Sequence, residues 1–173
     1  MEWLADKDYE FIYMVEFDQL PLIVDLDEKL TNRLESEHAD VMAHYVQRID
    51  GTSHPHYLYH IADSSFLPYW CAKSVRKNKD VILSQFGTGS LWRRECFEAV
   101  AKVPQEIPCY HELWVSTLAH HLGYRVRDWG EQNQFIWILP EPWVRIDKAR
   151  ESGMWTIHPI KVMTDEIVEL APN

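Results

Sequence analysis

Two carboxylates, Glu16 and Asp18, close an apolar run near the start of the chain, Tyr9-Glu10-Phe11-Ile12-Tyr13-Met14-Val15, just ahead of Leu20-Pro21. The run reads as a buried β-strand, rich in aromatic and β-branched residues. Such strands normally end on turn chemistry, and this one ends on two acids. If the strand persists to Asp18, its two-residue period sends both carboxylates to one side. The carboxyl end of a strand is also where open α/β sheets hold ligands. Two carboxylates that close repel each other unless a cation or a proton lies between them. The competing reading makes both of them solvated turn residues. A third makes them the acid/base pair of a hydrolase, which needs a carboxyl separation that spacing along the chain does not set.

Three further stretches carry chemistry. Phe86-Gly87-Thr88-Gly89-Ser90 reads as a glycine-rich turn entering a helix N-terminus. Its glycines would let a ligand approach the backbone, and the helix end would offer unpaired N–H groups to an anion or hydroxyl. It lacks the lysine and spacing of a Walker A loop and is not a dinucleotide fingerprint, and a plain capped turn explains it as well. Cys109-Tyr110-His111-Glu112-Leu113-Trp114 opens a second helix that ends near His120-His121. Glu112 there is favoured by the helix dipole alone. The H-E-x-x-H spacing of a zinc helix is absent. Thr156-Ile157-His158-Pro159-Ile160-Lys161 carries a lone histidine before proline, a pattern that is usually structural. His38, His44, His54, His56 and His60 have no accepted ligand spacing.

The elements that must position these groups alternate. Leu30 and Leu34 at helical spacing predict a short helix over 27–37, and Asp40 to Val46 reads as a buried strand. The segment from Asp50 to Pro68 reads as a long loop of the kind that carries function. Val81 to Phe86 predicts a strand stopped by Gly87-Thr88-Gly89. Ser90 then caps a helix running to about Val103, and a further helix spans Glu112 to Leu122 before Gly123. Tyr124 to Trp129 and Phe135 to Leu139 read as strands. This order predicts one α/β domain over residues 1–173, with a mixed β-sheet flanked by helices.

Composition narrows the function classes. The chain has 173 residues, eight of them tryptophan, and 46% are hydrophobic, enough for a substantial core. Its 17 Lys plus Arg against 27 Asp plus Glu give a net charge of -10, which disfavours binding to nucleic-acid phosphates. Arg76-Lys77-Asn78-Lys79 is the densest basic run and reads as a solvated loop or helix end. Cys71, Cys96 and Cys109 form no C-x-x-C pair, so neither a disulfide framework nor a zinc knuckle is expected. No signal peptide is visible in Met1-Glu2-Trp3-Leu4-Ala5-Asp6, and no apolar stretch approaches the length of a membrane span. A soluble, cytoplasmic protein is expected.

Taken in order, the four stretches resemble the catalytic half of the GT-A fold glycosyltransferases, which transfer sugars from nucleotide-sugars. The resemblance covers roughly residues 9 to 161 and lies in the order of the motifs, each of which is degenerate. Glu16 and Asp18 match the Asp-x-Asp-like motif that holds a divalent cation. Gly87-Thr88-Gly89-Ser90 is similar to the small-residue turn on the acceptor side. Glu112 in Tyr-His-Glu-Leu-Trp resembles the catalytic base. The passage from Thr117 to Val126 looks like the helix-to-strand step that follows. His158-Pro159-Ile160-Lys161 resembles the late segment whose histidine completes the metal shell.

What the resemblance implies is a truncated GT-A-like domain using Mn²⁺ or Mg²⁺, a nucleotide-sugar and a carbohydrate acceptor. In it Asp18 ligates the cation, Glu16 supports it and His158 adds a nitrogen. Lys161 places a point charge on the diphosphate, and Glu112 takes the proton of the attacking hydroxyl if the product is inverted. Trp70, Trp92 and Trp114 are either sugar-stacking residues or core. Only about eight residues precede the first strand, where the family has a nucleotide-binding β/α region. A homo-oligomer or a partner chain would then cover the missing half. The rival expectation is a non-catalytic relative that binds carbohydrate or protein.

Overall fold

A computed structural model describes residues 7–130, 135–138 and 146–161. Leu139, read above as the end of a strand, and the Met1-to-Asp6 stretch lie outside them. The first half runs β1 (Phe11–Met14), β2 (Leu20–Pro21), α1 (Leu26–Ser36), β3 (Val41–Arg48), α2 (Pro55–Ile61) and α3 (Phe66–Lys73). The second runs β4 (Leu83–Arg93), α4 (Arg94–Ala101), α5 (His111–His121), β5 (Val126–Asp128), β6 (Ile136–Ile138), α6 (Ile146–Glu151) and β7 (Thr156–His158).

The protein is mixed α/β, with helices flanking its sheets. Among the described residues it has two sheets where the sequence predicts one. The larger has the order β1-β4-β3-β5, antiparallel except for the β3–β5 pair. The smaller has the order β2-β7-β6. Both central strands of the larger sheet bury two faces, and the two-residue period sorts their side chains. Val41 and Trp92 pack with Phe66, Trp70, Cys96, Val100, Leu113 and Leu118 from α3, α4 and α5. Their neighbours Met42 and Leu91 face the other way, against Leu30 and Leu34 of α1 and against Trp129 and Phe135. Leu20, Ile146, Ala149 and Ile157 form a separate cluster around the smaller sheet.

Three expectations need correction. The 50–68 segment is largely helical, because Pro55 stands at the first helical position of α2 and His54 Nδ1 accepts the His56 N–H at 3.3 Å. In α3, Pro68 falls in the first turn, where no N–H is needed. Gly87-Thr88-Gly89 is not a turn, because β4 runs through it from Leu83 to Arg93, with the paired residues Phe86 and Ser90 on either side of a register break with β3. Ser90 accordingly caps nothing. It sits opposite Met14 and Ala43 and accepts the Trp92 Nε1–H at 2.7 Å, and α4 begins only at Arg94. The third correction concerns β1, which stops at Met14, so Glu16 and Asp18 lie beyond the strand. The chain leaves the larger sheet there to reach the smaller one.

The helix over His111–His121 sits on β4 through side-chain stitches. The Thr117 hydroxyl accepts the Leu83 N–H and donates to the Leu83 carbonyl, each at 2.9 Å. Ser116 bonds Gln85, and His121 Nε2 donates to the Val81 carbonyl at 2.6 Å. The basic run is a loop with Lys77, Asn78 and Lys79 exposed, as read, while Arg76 is half-buried. Its guanidinium donates to the carbonyls of His120 (2.9 Å) and Tyr124 (2.8 Å) at the C-terminal end of α5. No helix among the described residues is long and apolar enough to cross a membrane.

Candidate functional site

Glu16 and Asp18 occupy the turn between β1 and β2, closed by the Gln19 N–H donating to the Glu16 carbonyl at 3.1 Å. A turn, not strand periodicity, brings the two acids together. Three links strap it to the late segment. Leu20 stands opposite Ile157 across β2 and β7, and the Ile160 N–H donates to the Asp18 carbonyl at 2.7 Å. Gln19 Nε2 donates to Thr156 Oγ1 at 2.8 Å. Pro21 is tolerated because β2 is an edge strand.

This strapping brings His158 to the acids. Its Nε2 lies 2.6 Å from Glu16 Oε2 and 3.1 Å from Asp18 Oδ1. Neither oxygen makes a hydrogen bond of acceptable geometry with that nitrogen, which is buried. The Lys161 ammonium pairs with the other Asp18 oxygen, Oδ2. Burial by itself would raise the Asp18 carboxyl, but the Lys161 hydrogen bond and charge, together with His158, hold it below the usual carboxylate range.

The three side chains fit a divalent cation. One oxygen from each acid and one His158 nitrogen all lie within 4.8 Å of one another. Ligand atoms on one ion with bonds of about 2.0–2.6 Å are separated by no more than about twice that length. Two carboxylates and an imidazole suit a hard or borderline metal such as Mn²⁺ or Mg²⁺.

A second group of side chains meets the first at Gly87. The Gly87 N–H donates to Glu112 Oε1 at 2.9 Å. A Cβ at Gly87 would lie 2.5 Å from Glu16 Oε1 and 3.1 Å from His111 Nε2. Glu16, His111 and Glu112 therefore converge on one stretch of β4 backbone, and only a glycine there leaves them room. Gly89 serves the same purpose for other side chains, making space for Phe135 and the Tyr13 hydroxyl, which a Cβ would meet at 2.7 and 2.8 Å.

Gly87, Thr88 and Gly89 consequently form no anion cradle. The Gly87 N–H is taken by Glu112, the Thr88 hydroxyl is 2.6 Å from His44 Nδ1, and the Gly89 carbonyl accepts the Trp129 Nε1–H at 3.3 Å. Trp70 and Trp92 are wholly buried and cannot stack on a sugar, and Trp114 packs against the same core.

Of the residues singled out from the sequence, Glu16, Asp18, His158 and Lys161 come together, and Glu112 joins them through Gly87. His111 lacks the spacing of a zinc helix. Only the register of α5 on β4 aims it at Gly87. His44, also without ligand spacing, is buried. Burial pushes it down to about 4, and the charge of His158 adds to that against the pull of Asp128. Exposed aromatic rings nearby include Phe17, at the tip of the acidic turn, Tyr110, next to His111, and Tyr45 and Phe86. No protein-family model, curated protein or solved structure matches the chain.

Proposed function

We propose that the protein is a GT-A-like glycosyltransferase that moves a sugar from a nucleotide-sugar to an acceptor hydroxyl, with Mn²⁺ or Mg²⁺ held by Glu16, Asp18 and His158. The observation that carries this reading is the meeting of an early acidic turn with a late histidine at 2.6 and 3.1 Å. A divalent cation in that place supplies positive charge to the diphosphate leaving group.

The chain's own groups account for the rest. Asp18 shares itself between two tasks, with Oδ1 turned to His158 and Oδ2 to Lys161. Lys161, whose side chain is 58% exposed, has the freedom to reach a diphosphate as a point charge. Glu112 is the general base for the attacking hydroxyl in an inverting reaction. The Gly87 N–H fixes one of its oxygens and leaves the other for substrate. His111 borders the same space and can accept or donate a hydrogen bond to an acceptor hydroxyl.

Release of nucleotide from UDP- and GDP-sugars in the presence of Mn²⁺ tests the reading. Wild type should release nucleotide, Asp18→Ala should not, and Glu112→Gln should lose about 10²–10⁴ in kcat. No release by wild type, or equal release by both variants, overturns it.

One observation favours a second reading. Glu16, Asp18, His158 and Lys161 already form a closed ion network in which each acid faces a basic group. On that view the cluster is structural, and the protein is a non-catalytic relative that binds carbohydrate or a partner protein. It predicts that Mn²⁺ leaves thermal stability unchanged, where a true cation site raises it.

A further inference from the structure

α4 and α5 do not close fully over the end of β1. A cleft of about 280 Å³ is left between them, walled by Phe97 and Ala101 of α4 and by Trp114 and Val115 of α5. The buried Trp92 of β4 forms its floor, and Met14, 38% exposed at the end of β1, stands at its mouth. Apolar surface left open to water in this way costs free energy until something covers it.

Two chain segments tie the cleft to the acidic site. On α5, His111, Trp114 and Val115 are spaced by three and four residues and so share one helix face. On β1, Met14 precedes Glu16 by two residues, a reach of about 7 Å at most. Glu16 Oε1 and His111 Nε2 both border Gly87, while Met14 stands opposite Ser90, three residues further along β4. The cleft therefore begins about 5 Å, one helical turn, from the place where Glu16, His111 and Glu112 converge.

We infer that this cleft holds the body of the acceptor, a neutral hydrocarbon alcohol whose hydroxyl lies at His111 and Glu112. Size, lining and surroundings each limit the occupant. An apolar cavity of about 150 Å³ takes one benzene ring, so this cleft takes a body of roughly two rings or a chain of similar bulk. No charged side chain lines it, which would leave a charged body without a partner. Glu16 and Glu112 beyond the mouth repel a carboxylate or phosphate, and a neutral hydroxyl is the head group that suits them. A protein partner needs about 800 Å² of surface, whereas the solvent side of α4 is charged, with Glu98 paired to Arg94 and Lys102. The role as acceptor rests on the transfer reading above, and occupancy of the cleft does not. In that role the hydroxyl oxygen bonds to the anomeric carbon and Glu112 takes its proton. The nucleoside diphosphate leaves with the electron pair of the broken C–O bond.

The test is methyl ¹H–¹³C NMR of the full chain, titrated with 2-naphthol and 1-octanol, which separate a ring body from a chain. 2-Naphthoate and lactose are the charged and the sugar counterparts. At least one alcohol should move the Met14 and Val115 methyl signals. 2-Naphthoate should bind about tenfold more weakly than 2-naphthol, and lactose should leave both signals in place. Ala101→Phe fills the cleft from a half-buried helix position and should weaken alcohol binding by about tenfold or more, with the melting temperature kept. Met14→Asp puts a charge at the mouth, on an exposed strand end, and should do the same. Methyl signals that neither alcohol moves, naphthoate binding as tight as naphthol, or wild-type affinity in both variants overturns the inference. With Mn²⁺ and a nucleotide-sugar, the bound alcohol should speed nucleotide release by wild type and not by Ala101→Phe. Binding with no release keeps the cleft and removes the transfer reading. Release that neither alcohol speeds keeps the transfer reading and removes the alcohol as its acceptor.

Discussion

Gly87→Ala separates the site from the fold more cleanly than any ligand deletion. Gly87 does not have a positive φ, so alanine fits the backbone, and the cost is confined to what the new methyl meets. It would stand 2.5 Å from Glu16 Oε1, which is the end of a flexible side chain. Ordinary contact requires the carboxylate to retreat by about 1 Å. His111 Nε2, 3.1 Å away, must give by a few tenths. Against this, alanine restricts the unfolded chain and returns about 0.4–1 kcal/mol. Net stability should therefore stay within about 1 kcal/mol, a melting shift of no more than roughly 4 °C. The cation site should not be spared. Moving one of three ligands by about 1 Å should weaken Mn²⁺ binding by about 10–100-fold. The assay is the free-Mn²⁺ resonance signal during titration, run beside a thermal melt. In a Glu16→Ala background the methyl should cost little further, because its main obstacle is gone and only His111 has still to give. Unchanged Mn²⁺ affinity in Gly87→Ala would refute Glu16 as a ligand. A melting drop above about 10 °C would show that the methyl meets something less yielding than a carboxylate.

Other expected outcomes follow from the same contacts. Burial pushes both His44 and His120 down to about 4 from 6.5, so each is neutral in the folded protein while the unfolded ring takes a proton below pH 6.5. Stability is thus fully present above pH 6.5 and is lost as pH falls toward 4, by up to about 3 kcal/mol from His44 alone. Urea melts across that range check it, and a flat profile contradicts the buried neutral rings. Arg76→Ala removes the guanidinium from the carbonyls after α5 and should cost about 1–3 kcal/mol, read as a melting drop of roughly 2–10 °C. Arg76→Lys should recover little of it, because one ammonium does not span two carbonyls on a planar fork.

Local pattern was enough for the elements that announce themselves. Leu30 and Leu34 at one-turn spacing with Asp27 and Glu28 leading gave α1 almost to its ends. The α5 helix stops just before Gly123, as its sequence suggests. What misled was glycine and proline punctuation. Gly87 and Gly89 look like a turn, yet both mark places where side chains from elsewhere press on a strand, and nothing local reports that pressure. Pro55 looks like loop and instead starts a helix. The late strand β7 is three residues long, too short for any periodicity, and exists only because β2 and β6 flank it. The grouping of Glu16 and Asp18 with His158 was foreseen through the order of motifs, but strand periodicity was the wrong cause for it. His111 and the cleft between α4 and α5 depend on register between distant elements, which no single stretch of sequence encodes.

Calorimetric titration of Mn²⁺ with UDP into wild type and Asp18→Ala addresses the central claim most directly. The account predicts saturable heat with wild type and its loss in the variant. A silent wild type, or a variant that binds as well, contradicts it.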